Sequence, residues 1–173
     1  MQPLEQLLSP IITTLNEVTN DEGYNTVMHN IKQQKMDVLE KRIPPSNTDL
    51  IRPEILASWI RSAKNGLDPY HYNYPPFMEK HAFEQRLKEK EFFIKAAEPY
   101  INQLENMLSD VECYIILSDQ EGVILRIVQA LDKNRFHLAP GAIWNEETTG
   151  TCSHGMCILL KSPIQLCGPE HFS

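Results

Sequence analysis

The chain has 173 residues, 42% of them hydrophobic and 23% charged, with a formal net charge of −7. That composition fits a globular protein with a sizeable core, and the acidic balance excludes a nucleic-acid contact surface on this segment, because a phosphate backbone must be met by clustered Lys and Arg. The opening MQPLEQLLSPIITTLNEV has no basic lead and no long apolar run. Neither a signal peptide nor a membrane helix is predicted, and the chain is expected in the cytoplasm with its four cysteines as thiols.

Leu7, Leu8, Ile11, Ile12, Leu15 and Val18 recur at helical spacing behind Ser9 and Pro10, a capping residue and a first-turn proline. This stripe has no partner in one small core, so a homodimer built on the N-terminal and linking helices is expected. Tyr24, Val27, Met28 and Ile31 share the face of a second helix that continues to Val38 and Leu39 and stops at Pro44-Pro45. Residues 1–46 are therefore read as an N-terminal helical extension.

RPEILASWIRSAKNGLDP has Ile55, Leu56, Trp59, Ile60 and Ala63 on one side, Pro53 at its first turn and Gly66 at its end, which predicts a complete short helix. Trp59 is read as helix packing. After the connector YHYNYPPF, an amphipathic pattern runs from Glu79 to Leu108 and is expected to kink or divide at Pro99, while RLKEKEFF within it reads as a solvated face. Residues 47–110 thus form a helical segment holding the SWIRS motif and a linking helix.

At Cys113 the period changes. CYIILSD and GVILRIVQA predict an antiparallel hairpin turning at Asp119, Gln120, Glu121 and Gly122. A loop with a short helix near Trp144 follows, then a helix from Thr151 to Leu160 and a short strand at PIQLCG.

The stretch from Trp144 to Phe172 holds three of the four cysteines and two of the six histidines. Cys152, His154, Cys157, Cys167 and His171 are soft metal donors, but on a regular helix only His154 and Cys157 share a face. Cys152 near a helix start is alternatively a redox-sensitive thiolate or a nucleophile with His154 as its base, and the plain reading is that the cysteines pack as small apolar residues. Trp144 either walls a ligand pocket or plugs the core beside the sheet.

SWIRSAKNGLDP, LSDQEGVIL, WNEETTGT and PIQLCGPEHF, in this order over Ile51 to Phe172, resemble the N-terminal sensory region of bacterial enhancer-binding proteins of the acetoin-catabolism-regulator type, sigma-54-dependent activators with a GAF sensor domain. That family's signature G-T-N-A-I-G-T-A-L is met here by Gly150, Thr151, Cys152, Ser153, His154, Gly155, Met156, Cys157 and Ile158. The resemblance implies an α/β fold with a GAF-like central antiparallel sheet flanked by helices, residues 111–173 forming a partial GAF domain whose closing strands are missing, with an exposed sheet edge. It implies a signal-sensing regulatory domain and no enzyme, controlling ATPase and DNA-binding domains outside this chain.

The partners expected on this basis are a small-molecule effector and a second copy, without direct nucleic-acid or membrane binding. Trp144, Thr151, Cys152 and His154 are the expected ligand-binding residues, and no catalytic residue is assigned. No cofactor is expected; the alternative is a metal- or redox-sensing domain with Cys152, His154 and Cys157 as metal ligands. Free backbone N–H groups at the helix start are expected to stabilise a Cys152 thiolate and make it react faster than Cys113.

Overall fold

The computed structural model describes residues 21–110, 113–129 and 138–173, so the stripe from Leu7 to Val18 lies outside the described residues. The chain divides into two compact units, one of residues 21–73 with 145–173 and one of residues 74–144. Residues 21–46 thus belong to the same unit as the last stretch of the chain.

In the first unit, α1 (Asp21–Leu39) buries Ile31 and Val38 and packs Val27, Met28 and Leu39 against the core, the face its spacing predicts. Lys41 turns the chain with φ 60, and a 3-10 turn spans Pro45–Asn47. α2 (Pro53–Lys64) starts on Pro53, has Glu54 in its first turn and Arg61 and Lys64 in its last, and buries Ile55, Ser58, Trp59 and Ser62. It ends at Gly66, whose φ of +83 is left-handed, with the Leu67 amide donating to the Ser62 carbonyl at 3.2 Å.

The core gathers Ile31, Ile51, Ile55 and Trp59 with Met156, Leu166 and Phe172 from the last stretch of the chain. Met156 stands on α5 (Ser153–Leu160), which ends at Lys161 with φ 52, and a 3-10 turn follows at Gly168–Glu170. The predicted strand PIQLCG forms no strand, and its Gly168 opens the 3-10 turn. Its backbone is held by side chains instead of a ladder: the Gln165 carbonyl accepts from Arg52 Nη2 at 2.6 Å and the Cys167 amide donates to Glu170 Oε2 at 2.9 Å.

In the second unit, β1 (Tyr114–Ser118) pairs antiparallel with β2 (Ile124–Gln129), as the alternation predicts, with a register shift between Leu117 and Ser118. The turn is fixed by Asp119, whose carboxylate accepts from the Glu121 and Val123 amides at 2.9 and 3.1 Å and from Arg86 at 2.7 Å. Single bridges join Val123 to Ile143 and Ala142 to Phe77, so the predicted loop and the aromatic connector both extend the hairpin.

The helical pattern from Glu79 divides at Lys90 rather than at Pro99, giving α3 (Lys80–Glu89), capped by Glu79, and α4 (Glu91–Met107), which keeps an exposed Pro99 inside it. Lys90 ends one helix and begins the next at φ −97, ψ 7. α4 packs on both strands, burying Ile101. Ile124, Leu138 and Ala142 make the core here, with Tyr114, Ile116, Ile127 and Trp144 against them. Among the described residues no helix is long and apolar enough to cross a membrane.

Candidate functional site

α2 is the organiser of the first unit, because its buried face has polar side chains that reach both ends of the segment 145–173. Residue 58 lies one position before the core tryptophan and residue 61 two positions after it. Ser58 and Arg61, at i and i+3, therefore meet one partner. Arg61 Nε and Nη2 grip the two oxygens of Glu146 at 2.6 and 2.9 Å, and Ser58 Oγ donates to Glu146 Oε2 while standing 2.8 Å from Thr151 Oγ1. A bidentate charged grip fixes direction as well as distance.

Glu146 is presented by a one-turn loop in which the Asn145 side chain accepts from the Glu147 and Thr148 amides at 3.0 and 3.1 Å. At Gly150, φ is +82, and a Cβ there would lie 2.6 Å from Phe172 Cβ. Only glycine admits this close approach of ring and loop.

The other end is held from three residues. Trp59 Nε1 donates to the Glu170 carbonyl at 2.8 Å. Arg52 pairs with the Glu170 carboxylate at 3.2 Å, with only 10% and 1% of the two side chains exposed. Lys35 donates to the His171 and Phe172 carbonyls at 2.8 and 3.0 Å, its ammonium 5.6 Å from the centroid of the Trp59 ring. Trp59 is fully buried, so the packing reading of this residue holds.

Burial, with the charge of Lys32, pushes the Lys35 amine down to about 8, and burial together with Lys35 lowers His171. Between about 8 and the ordinary 10.5, unfolded Lys35 binds more protons than folded Lys35, so stability rises with pH across that window. Cys152 opposes this between its ordinary 9.0 and about 11, where the folded thiol keeps a proton that the unfolded one has lost. The urea midpoint is therefore expected to climb between pH 8 and pH 9 and then level off. The Lys35→Met variant should lose the climb; an unchanged profile in that variant would refute the assignment to Lys35.

The residues singled out along the sequence fall differently. Trp144 belongs to the hairpin unit, where its ring packs beside Ile124 and Ala142 and its amide donates to the Gly122 carbonyl at 2.8 Å. Thr151, Cys152 and His154 belong to the other unit, with Thr151 buried against Ser58 and His154 half-buried on the first turn of α5. Among the described residues no three His, Cys, Asp or Glu side chains come together as a metal site, so Cys152, His154 and Cys157 are not assembled into one.

Cys152 corrects the expectation of a stabilised thiolate. It is 5% exposed, with Sγ against Gly155, and burial pushes its thiol up to about 11 against the lowering effect of the Gly155 amide and the Thr149 hydroxyl. Desolvation outweighs the helix start. Cys152 should be alkylated more slowly than the half-buried Cys113 when both are followed by mass spectrometry near neutral pH. Equal or faster modification of Cys152 would return the thiolate reading.

The first unit also has a cleft of about 770 Å³, between the C-terminal ends of α1 and α2, walled by Val38, Leu39, Ile43, Pro44, Ile60 and Ala63. Its volume is in the range of small-molecule sites. Nothing in the sequence pattern pointed to it, because its walls come from a helix end and a proline turn that read only as a stop signal.

Two curated relatives match most of this chain. The acetoin dehydrogenase operon transcriptional activator AcoR of Bacillus subtilis (strain 168) is 30% identical over 127 residues, covering 71% of this chain and 21% of that protein. The likeness is to a transcriptional activator. An uncharacterized 47.3 kDa protein in the thcA 5' region of Rhodococcus erythropolis is 27% identical over 128 residues, covering 71% of this chain and 29% of that protein. The chain thus spans less than a third of either relative's length. No family model and no solved structure matches it.

Proposed function

We propose that this chain is the signal-input region of a bacterial transcriptional activator, a non-catalytic GAF-type sensor that binds a small effector and acts as a homodimer in the cytoplasm. The observation that carries this reading is the 30% identity to AcoR over 127 residues. The arrangement of α2 supports it: one short helix ties Glu146 at one end of the segment 145–173 and Glu170 at the other. A ligand that moves α2 therefore moves both.

The effector sits in the cleft beside Ile60 on α2, whose apolar walls suit the body of a small molecule and whose Lys41, Arg42 and Lys64 suit an acidic group on it. Its effect on transcription follows only if it binds one arrangement of the helices more tightly than the other, since equal affinity shifts nothing. Grafting this chain in place of the matching region of AcoR should give a transcriptional response that the cleft variant Ile60→Glu abolishes. A panel of small metabolites should contain one that raises the melting temperature of the purified chain and not that of Ile60→Glu. An activator that works identically with and without this region, and a chain that no metabolite stabilises, would overturn the proposal.

A further inference from the structure

α4 has two apolar faces. Ile94, Ile101 and Leu108 lie along the side that packs on the hairpin, where Ile101 is buried. Turned from it, Phe93, Ala96, Tyr100, Leu104 and Met107 recur at steps of three and four residues, and Phe92 flanks them. This second stripe is exposed: Phe92 at 87%, Tyr100 and Met107 at 70%, Phe93 at 44% and Leu104 at 43%. A solvated surface helix does not need two aromatics, a leucine and a methionine in one line with a third aromatic beside them.

We propose that this stripe is the seam of a homodimer in which two copies of α4 pack antiparallel about Tyr100. The spacing is that of a helix that interlocks with another of its kind, which favours a second copy over an unrelated groove.

Size matching sets the antiparallel direction. With Tyr100 at the two-fold axis, Phe93 of one copy faces Met107 of the other, a sulfur–aromatic contact, and the small Ala96 faces Leu104. The exposed parts of the aromatics, roughly 150–250 Å² for each whole side chain, together with Leu104 and Met107 bring the paired faces to the order of 1,000 Å² that a specific interface needs. The inference deepens the homodimer within the proposed function and leaves the effector cleft untouched.

Sedimentation at tens of micromolar, the range of a moderate association, should give twice the chain mass for the wild type. Tyr100→Glu and Leu104→Glu should each give the single mass with unchanged circular dichroism. Mixing Phe93→Cys with Met107→Cys under oxidation should yield a disulfide linking position 93 to position 107, identified by peptide mapping, with little 93–93 or 107–107 product. A monomeric wild type, or a dimer indifferent to both glutamates, overturns the seam, and predominant 93–93 linkage overturns the antiparallel direction. A chain that dimerises only after removal of residues 1–20 would show that its own N-terminal segment covers the stripe, and equally overturns the proposal. Effector-induced stabilisation is read separately by melting temperature, so loss of the dimer and loss of the sensor are distinguishable.

Discussion

Trp59→Ala is expected to destabilise the first unit by about 3–5 kcal/mol, the usual cost of emptying a buried tryptophan site. The ring is fully buried at the centre of the core formed by Ile31, Ile55, Met156 and Phe172, and Ile31 and Ile55 can close on the gap only by moving α1 or α2. The loss is more than volume. Without Nε1 the Glu170 carbonyl loses its donor, and without the ring face Lys35 keeps its burial but not its cation–π contact. Trp59→Phe retains much of the packing and removes only the donor, so it should cost about 1–3 kcal/mol, the penalty of an unmet buried acceptor. Urea unfolding monitored at 222 nm, a standard helix signal, separates the two. If Trp59→Ala costs no more than Trp59→Phe, the ring is not the centre of the core.

The same residues indicate what a sequence can reveal. α2 was legible because its proline, its apolar spacing and its glycine all act within one helix. The hairpin was legible because strand alternation and the Asp119–Gly122 turn are local too. PIQLCG has a strand's composition, yet strand formation depends on a neighbour, and here Arg52 and Glu170 satisfy the backbone first. The helix division at Lys90 escaped because Pro99 is the stronger local signal, although it sits on the exposed side of a helix that accommodates it.

The grip on Glu146 spans 85 and 88 residues of sequence, beyond any periodicity argument. Its trace was Ser58 beside Trp59 on a face otherwise made to be buried: a polar group at a core position needs a partner. For Cys152, the position at a helix start was read correctly and the chemistry was not. Burial depends on Gly155 and the Asn145–Thr149 loop closing over the sulfur, which no local pattern reports.

Glu170→Ala is expected to have the other large effect, again about 3–5 kcal/mol, because it leaves the buried Arg52 with only the partly exposed Glu54 carboxylate, 3.8 Å away, as counter-charge. Glu170 is 1% exposed and does two things at once: its carboxylate takes the Arg52 guanidinium at 3.2–3.3 Å and the Cys167 amide at 2.9 Å. Glu170→Gln keeps an acceptor for that amide and removes the charge, so it should fall between wild type and alanine. The decisive variant is the double one. Arg52→Met with Glu170→Met removes both charges and fills the space, and should recover much of the loss, since most of the single-variant cost comes from the stranded partner rather than from the pair's own worth. Arg52 also donates to the Gln165 carbonyl at 2.6 Å, so recovery should be incomplete by about the 1–3 kcal/mol of that charged hydrogen bond. If the double variant is as unstable as the sum of the two single ones, the pair does not act as a unit, and the ordering of Leu166 to Phe172 must come from the apolar core alone.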